Sequence, residues 1–181
     1  MPRYVALLGG INVGGHRVKM TDLRALFEAL GFADVSTFIA SGNVIFEAET
    51  TDEALLRARI EEQLHQGLGY TVPTFIRSSH ELAAVARYQP FSAAEFNPAT
   101  HTLSVMFLAH GLSDQDQQTF LTFSTPVDLF HIHQREIYWL CRNKITDSQV
   151  DWKRLGKAIT MPAVTVRNRT TVEKLAAKYA T

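Results

Sequence analysis

The predicted strands and helices of this chain follow one order twice, and this repetition constrains the fold more than any other feature. Apolar runs and helical spacings over residues 4–76 predict strand, helix, strand, strand, helix, strand. Residues 102–179 give the same first five elements, followed by an extended segment and a closing helix. A split β-α-β order of this kind forms an antiparallel sheet with helices on one face. We therefore predict an α+β protein with two ferredoxin-like subdomains.

The predicted boundary between the subdomains follows residue 78. Residues 1–78 form the first predicted subdomain and residues 79–181 the second, closely associated as one unit. A chain of 181 residues is long enough for two small packed lobes. The irregular stretch 88–100 holds two of the six prolines and is the predicted junction of the lobes.

Net charge limits the partners that this chain is expected to bind. Eighteen basic residues balance eighteen acidic ones, and the isoelectric point is about 7.1. Sequence-independent nucleic-acid binding depends on net positive charge, so nucleic acid is not the favoured partner. No apolar run approaches the length of a membrane span, and we expect no signal peptide before Tyr4. We predict no membrane partner, and the sequence names no cofactor and no oligomeric state.

The connection after the first predicted strand is long and rich in glycine. Residues 9–20 hold four glycines and the potentially cationic side chains of His16, Arg17 and Lys19. Strand-to-helix connections normally need about two to six residues. Glycine lets the backbone approach a ligand closely, and the helix that follows directs its free N–H groups and positive dipole end toward the loop. The loop therefore predicts a site for a small anionic ligand.

Neither established phosphate-binding loop matches these residues. Aligned with a P-loop, Gly10 and Gly15 put His16 and Arg17 where Lys and Ser or Thr are required. The dinucleotide-binding fingerprint also fails, because the glycines are paired rather than staggered. A surface loop with flexible turns is the alternative interpretation.

Two other segments carry polar or cationic side chains in suitable positions. Ser41-Gly42-Asn43 forms a predicted tight corner between the second and third strands. Arg167-Asn168-Arg169 precedes a predicted helix capped by Thr170, where arginine side chains and free N–H groups favour an anion. We predict that both segments meet the glycine-rich loop. The corner is expected across the sheet from the loop, so the loop has to fold back to reach it.

The predicted ligand site draws on all three segments. Backbone N–H groups near the glycines hold the ligand, cationic side chains supply charge, and amide or hydroxyl groups orient it. The predicted ligand-binding residues are Gly10, Asn12, Gly14, Gly15, Arg17, Lys19, Ser41, Asn43, Arg167, Asn168 and Arg169. The leading hypothesis is a cytoplasmic protein that binds a small anionic or nucleotide-like ligand, and whether a reaction follows stays open.

The single cysteine and one pair of histidines are the other candidates for chemistry. Cys141 has no partner for an intramolecular disulfide, which favours the reducing cytoplasm. It lies in the apolar run 137–141, so we interpret it as a buried structural thiol. His131 and His133 share one face of a predicted strand at a spacing that metals use. Because no third ligand is evident, we interpret both as ordinary strand histidines and predict no metal site.

Four segments of the chain together resemble one bacterial family. The segments are Tyr4–Gly15, Thr37–Phe46, Pro90-Phe91 and Thr165–Leu175. Their combination is similar to the domain-of-unknown-function family 1697, and the resemblance extends over essentially the whole chain. It implies two ferredoxin-like subdomains and no established activity. Where the family usually has arginine this chain has Gly9, so any anion-binding role of that arginine would fall to Arg17 or Arg167.

Two other classes of function fit parts of the sequence. The β-α-β-β-α-β order is also that of the RNA-recognition motif, whose sheet stacks bases on aromatic side chains. Residues 42–46 keep only the glycine and Phe46 of that motif's aromatic segment. The remaining alternative is a structural or partner-binding protein whose loops hold the two lobes together.

Overall fold

The computed structural model describes residues 1–179, which form two four-stranded sheets and their helices. The strands are β1 (Arg3–Leu8), β2 (Ala33–Phe38), β3 (Asn43–Glu47), β4 (Thr74–Ser78), β5 (Thr102–Leu108), β6 (Asp128–His133), β7 (Glu136–Cys141) and β8 (Val164–Asn168). The α-helices are α1 (Met20–Glu28), α2 (Glu53–Leu68), α3 (Ser79–Arg87), α4 (Asp114–Leu121), α5 (Trp152–Ala158) and α6 (Arg169–Tyr179). No described helix combines the length and the apolar character needed to cross a membrane.

Both sheets are antiparallel and have the same strand order. The first sheet runs β2-β3-β1-β4 and the second runs β6-β7-β5-β8. In each sheet the first strand along the chain, β1 or β5, lies inside the sheet. The helix after it leads to an edge strand, β2 or β6, and the last strand of the sheet pairs on its other side. The prediction of an α+β fold with two ferredoxin-like subdomains is confirmed.

The chain divides into two compact units, and each of the two boundaries between them falls inside a helix. The first unit comprises residues 1–84 together with the chain from Lys174 on, and the second comprises Val85–Glu173. α3 and α6 each begin in one unit and continue into the other. The whole segment 88–101 therefore belongs to the second unit. The boundary after residue 78 and the junction at 88–100 stay predictions.

The core of the first unit lies between its sheet and α1 and α2. Successive strand residues point to opposite faces, so Tyr4, Ala6 and Leu8 of β1 contact this core. The helices contribute residues at helical spacing, among them Leu23 and Phe27 of α1. Val5 and Leu7, which alternate with them, face the other side of the sheet and are fully buried too. Both faces of this strand are thus closed to solvent.

The core of the second unit contains an aromatic cluster and one buried carboxylate. Phe130 packs between Phe120 and Trp139, with ring centroids 5.0 and 6.1 Å away. Asp128, at the start of β6, is completely buried. Its carboxylate accepts hydrogen bonds from the Trp139 indole at 2.9 Å and from the Gln149 backbone N–H at 2.8 Å. Asp128 therefore links two strands to the segment before α5.

The two sheets also share their ladder register. In the first sheet Leu7 pairs with Asn43, and Val5 pairs with Arg77. At the equivalent positions of the second sheet, Phe107 pairs with Glu136, and Val105 pairs with Arg167. All four polar members of these pairs are buried. Each sheet therefore carries one buried arginine at the same position of its last strand.

Candidate functional site

The glycine-rich loop and the Ser41-Gly42-Asn43 corner lie side by side at one end of the first sheet. The Leu8 N–H donates to the Gly42 carbonyl oxygen at 2.8 Å, and the Asn12 side-chain amide donates to the Ala40 carbonyl oxygen at 2.7 Å. The expectation that the corner lies across the sheet is wrong. β1 and β2 both run antiparallel to β3, so the last residues of both strands lie at the same end of the sheet. The loop reaches the corner without folding back.

Gly42 allows this close approach. Its φ of +75° lies in the left-handed region, and a β-carbon there would lie 2.7 Å from the Ile11 Cγ2 atom and 3.1 Å from the Leu8 Cβ atom. Ile11 is buried, so the contact anchors the start of the loop on the corner. A larger residue at position 42 would push the two segments apart.

Two residues predicted to orient the ligand form hydrogen bonds within the site itself. The Asn12 side chain also accepts a hydrogen bond from the Val18 N–H at 2.9 Å, which closes the loop on itself. The buried Asn43 amide donates to the Phe38 carbonyl oxygen at 3.0 Å and to Ser41 Oγ at 2.8 Å. Asn12 and Asn43 therefore hold the loop and corner in shape.

The outer part of the loop presents donors and no acidic group. His16, Arg17 and Lys19 are exposed, and residues 9–21 contain no Asp or Glu. The side chains of Arg17 and Lys19 form no ion pair or hydrogen bond within residues 1–179. Over the same residues, the backbone N–H groups of Gly14 and Gly15 donate to no acceptor, and both glycines have positive φ. These donors are available to an anion.

Sequence reasoning missed one aromatic pair at this loop. The His16 imidazole stacks on the Tyr70 ring with centroids 3.8 Å apart and an angle of 24° between the planes. The Tyr70 hydroxyl also donates to the Ile11 carbonyl oxygen at 3.2 Å. Tyr70 shortly precedes β4, which runs antiparallel to β1 and so begins where β1 ends. That topology is the signal that would have placed Tyr70 beside the loop.

The Arg167-Asn168-Arg169 segment belongs to the second unit and begins α6. The prediction that Thr170 caps this helix is wrong: α6 begins at Arg169, and the Asn168 side chain accepts the Thr170 N–H at 2.9 Å. Arg169 forms an ion pair with Glu173 at 2.9 Å. The convergence of this segment with the glycine-rich loop stays a prediction.

Arg167 has the surroundings of a structural residue. Its guanidinium donates to Thr165 Oγ1 at 2.9 Å and to the Val166 carbonyl oxygen at 3.0 Å. Burial lowers the pKa of Arg167 to about 10, which leaves the side chain charged at neutral pH. Arg77 is buried at the equivalent position of the first sheet.

His131 and His133 of β6 both contact Tyr88. The Tyr88 hydroxyl lies 2.8 Å from His131 Nε2, and its ring stacks on His133 with centroids 4.2 Å apart. Burial and the neighbouring His133 charge lower the pKa of His131, while Glu95 opposes the shift. Residues 1–179 contain no group of three or more His, Cys, Asp or Glu side chains placed to hold a metal. The buried thiol of Cys141 donates to the Lys144 carbonyl oxygen at 3.1 Å.

These observations define a class of proteins with two ferredoxin-like units. In the first unit a glycine-rich loop, held by the hydrogen bonds of Asn12, lies at one end of the sheet. The chain belongs to the family described as "Protein of unknown function (DUF1697)", which it matches over residues 1–138. The conserved bacterial protein SP0830 from Streptococcus pneumoniae has a similar structure, with a TM-score of 0.77, 23% sequence identity and 98% of each chain covered. That likeness shows the fold. The comparison with curated proteins finds no similar sequence.

Proposed function

We propose that this protein binds a small anionic, nucleotide-like ligand at the glycine-rich loop of its first unit. The observation that carries the proposal is the acid-free stretch of residues 9–21, in which Asn12 fixes the loop while the Arg17 and Lys19 side chains and two glycine amides have no partner within residues 1–179. Successive backbone N–H groups in a turn form concave surfaces that suit phosphate and carboxylate oxygens. Two nearby cations strengthen such contacts.

The aromatic pair supports the nucleotide-like part of the proposal. His16 is exposed, and its inner face rests on Tyr70, so its outer face offers a flat surface to a ring. A ligand with a phosphate on the glycine amides and a base against His16 uses both features. Stacking of a base on an aromatic side chain contributes about 1–3 kcal/mol. The predicted contributions of Asn12 and Asn43 become positioning roles here.

The RNA-recognition alternative has less support. The motif needs aromatic rings on the sheet face that is turned away from the helices. Phe46 is buried on the helix side, 5.6 Å from Phe27 and 4.6 Å from Phe32 between ring centroids. On the opposite face, Val5 and Ile45 are buried as well. A small ligand at the loop needs no open sheet face.

A thermal-shift experiment tests the proposed function. Inorganic phosphate and a nucleoside monophosphate are added to the wild-type chain and to the Arg17→Ala/Lys19→Ala variant. At about a hundredfold excess over the dissociation constant, a ligand adds about 2.7 kcal/mol of stability, a rise of several degrees in unfolding temperature. We expect the nucleoside monophosphate to give this rise in the wild type and not in the variant. Without ligand the two chains should unfold at similar temperatures, because both side chains are exposed.

The Lys153→Ala/Lys157→Ala variant is the matched control. It also removes two exposed positive charges, on α5 instead of the loop, so it should keep the full ligand response. An equal loss of response in both variants would mean that net charge, rather than the loop, attracts the ligand. No response of the wild type to either probe would contradict the proposed function.

A further inference from the structure

A cavity of about 340 Å³ lies in the first unit, at the end of the sheet opposite the glycine-rich loop. The connection from α1 to β2, the connection from β3 to α2 and the first two turns of α2 line it. These segments meet because Ala33 at the start of β2 pairs with Glu47 at the end of β3. Small-molecule sites occupy roughly 300–1,000 Å³, so this cavity is at the lower end of that range.

Arg59 lines this cavity, and two contacts hold its guanidinium at the cavity wall. Its Nη2 donates to the Leu30 carbonyl oxygen at 2.7 Å, and its Cζ atom lies 5.4 Å from the centroid of the Phe32 ring. Leu30 and Phe32 are both lining residues. Arg59 is exposed, and its side chain forms no other hydrogen bond and no ion pair within residues 1–179. The guanidinium is therefore held in position and still has donors for a ligand.

Glu49 adds the opposite charge to the same cavity. Glu49 is exposed, and its side chain forms no hydrogen bond and no ion pair within residues 1–179. Arg59 and Glu49 thus line one cavity without pairing with each other. A simple anion would be attracted by Arg59 and repelled by Glu49, and a simple cation would meet the reverse. The two charges together favour a ligand that carries one charge of each sign.

Leucine side chains give the cavity its apolar surface. Leu55, in the first turn of α2, is 48% exposed, and Leu30 is half-buried. A ligand that covers these side chains removes apolar surface from water, which stabilises the complex. A ligand that matches the whole cavity therefore combines a carboxylate, an ammonium group and an apolar chain.

We infer that this cavity binds an apolar α-amino acid in its zwitterionic form. The carboxylate accepts from the Arg59 guanidinium, the ammonium group donates to the Glu49 carboxylate, and the side chain covers Leu30 and Leu55. An α-amino acid bears both charges on one carbon atom, which suits two opposite charges in a cavity of this size. The inference does not rest on the proposed function, because no residue of the loop 9–20 lines the cavity.

An NMR titration of the full chain tests this inference. L-leucine is the probe. Isocaproate lacks its ammonium group, isoamylamine lacks its carboxylate and glycine lacks its side chain. We expect leucine to move the backbone amide signals of Gly31, Thr50 and Leu55 in a saturable way. Each comparison compound should bind at least about tenfold more weakly, a difference of about 1.4 kcal/mol.

Three variants separate the contributions. Glu49→Gln should weaken leucine binding by at least about tenfold and leave isocaproate binding at least as tight as in the wild type. Arg59→Gln should weaken leucine binding similarly and leave isoamylamine binding at least as tight. Arg57→Gln is the matched control, because it removes the same charge from the same helix at a position outside the cavity. It should bind leucine like the wild type, as should Arg17→Ala/Lys19→Ala.

Three results would overturn the inference. The first is that leucine moves none of the cavity signals in a saturable way. The second is that isocaproate or isoamylamine binds the wild type as tightly as leucine does. The third is that Glu49→Gln leaves leucine binding unchanged or weakens leucine and isocaproate binding equally. Because Glu49 is exposed and has no hydrogen bond to lose, its variant decides the matter even where Arg59→Gln does not fold.

Discussion

Replacing Asp128 with alanine is expected to lower the free energy of unfolding by about 3–5 kcal/mol. The carboxylate is completely buried and accepts hydrogen bonds from Thr125 Oγ1 at 2.7 Å, the Gln149 N–H and the Trp139 indole. Without it, the Trp139 indole stays buried and unpaired, and the Thr125 and Gln149 donors lose their acceptor. Urea denaturation followed by tryptophan fluorescence measures the loss, because both tryptophans, Trp139 and Trp152, lie in the second unit.

The free energy of unfolding that is lost when Asp128 is replaced should depend on pH. Burial alone would raise the pKa of Asp128, but its hydrogen bonds outweigh burial and hold the pKa below the usual range. A lowered pKa in the folded state adds stability above the unfolded-state value of about 3.9, and this stability is lost as pH falls further. The stability difference between wild type and Asp128→Asn should therefore shrink below about pH 4. Asp114→Ala, at an exposed position of α4, should cost at most about 1 kcal/mol at any pH. A similar loss in both alanine variants would contradict the role given to Asp128.

Replacing Gly42 with alanine is expected to destabilise the first unit by about 2–5 kcal/mol. The positive φ of Gly42 costs a non-glycine residue about 1–2 kcal/mol, and the contact with Ile11 adds an overpacking term of about 1–3 kcal/mol. Because Ile11 belongs to the loop, the substitution should also release the loop from the corner. Urea denaturation followed by circular dichroism gives the stability, and hydrogen exchange of the Leu8 amide reports on the released contact.

Two other glycines serve as controls for this prediction. Gly14 also has a positive φ, but a β-carbon there would meet nothing within 4 Å, so Gly14→Ala should cost only the backbone strain. Gly156 lies in α5 with open space around it, and Gly156→Ala should stabilise the protein by about 0.5–1 kcal/mol. Equal losses for Gly42→Ala and Gly14→Ala would mean that the loop and corner are not packed together.

The fold was predictable because it depends on local periodicity. Leu23 and Phe27 repeat at helical spacing, alternate residues of β1 face one core, and the order of elements admits few antiparallel arrangements. The role of Asp128 was not predictable in this way. Two of its hydrogen-bond donors come from Trp139 and Gln149, which no spacing pattern connects with position 128.

The candidate site was predictable in position and less so in the roles of its residues. The glycines and exposed cations of residues 9–19 mark an unusual loop in any reading of the chain. Asn12 and Asn43, however, resemble ligand-binding groups in sequence, whereas in the structure they form hydrogen bonds with backbone groups. Buried polar groups in proteins are generally hydrogen-bonded to other groups of the protein or to ordered water. Tyr70 contacts the loop only because β4 pairs with β1, which is a property of the whole sheet.

An NMR titration of the loop amides tests the proposed ligand site most directly. The labelled full chain is titrated with a nucleoside monophosphate while the backbone signals of Gly14, Gly15 and Arg17 are followed. We predict saturable movement of these signals in the wild type, accompanied by movement of the His16 ring signals, and none in the Arg17→Ala/Lys19→Ala variant. Loop signals that stay still at millimolar nucleotide, or that move equally in that variant, would contradict the proposed function.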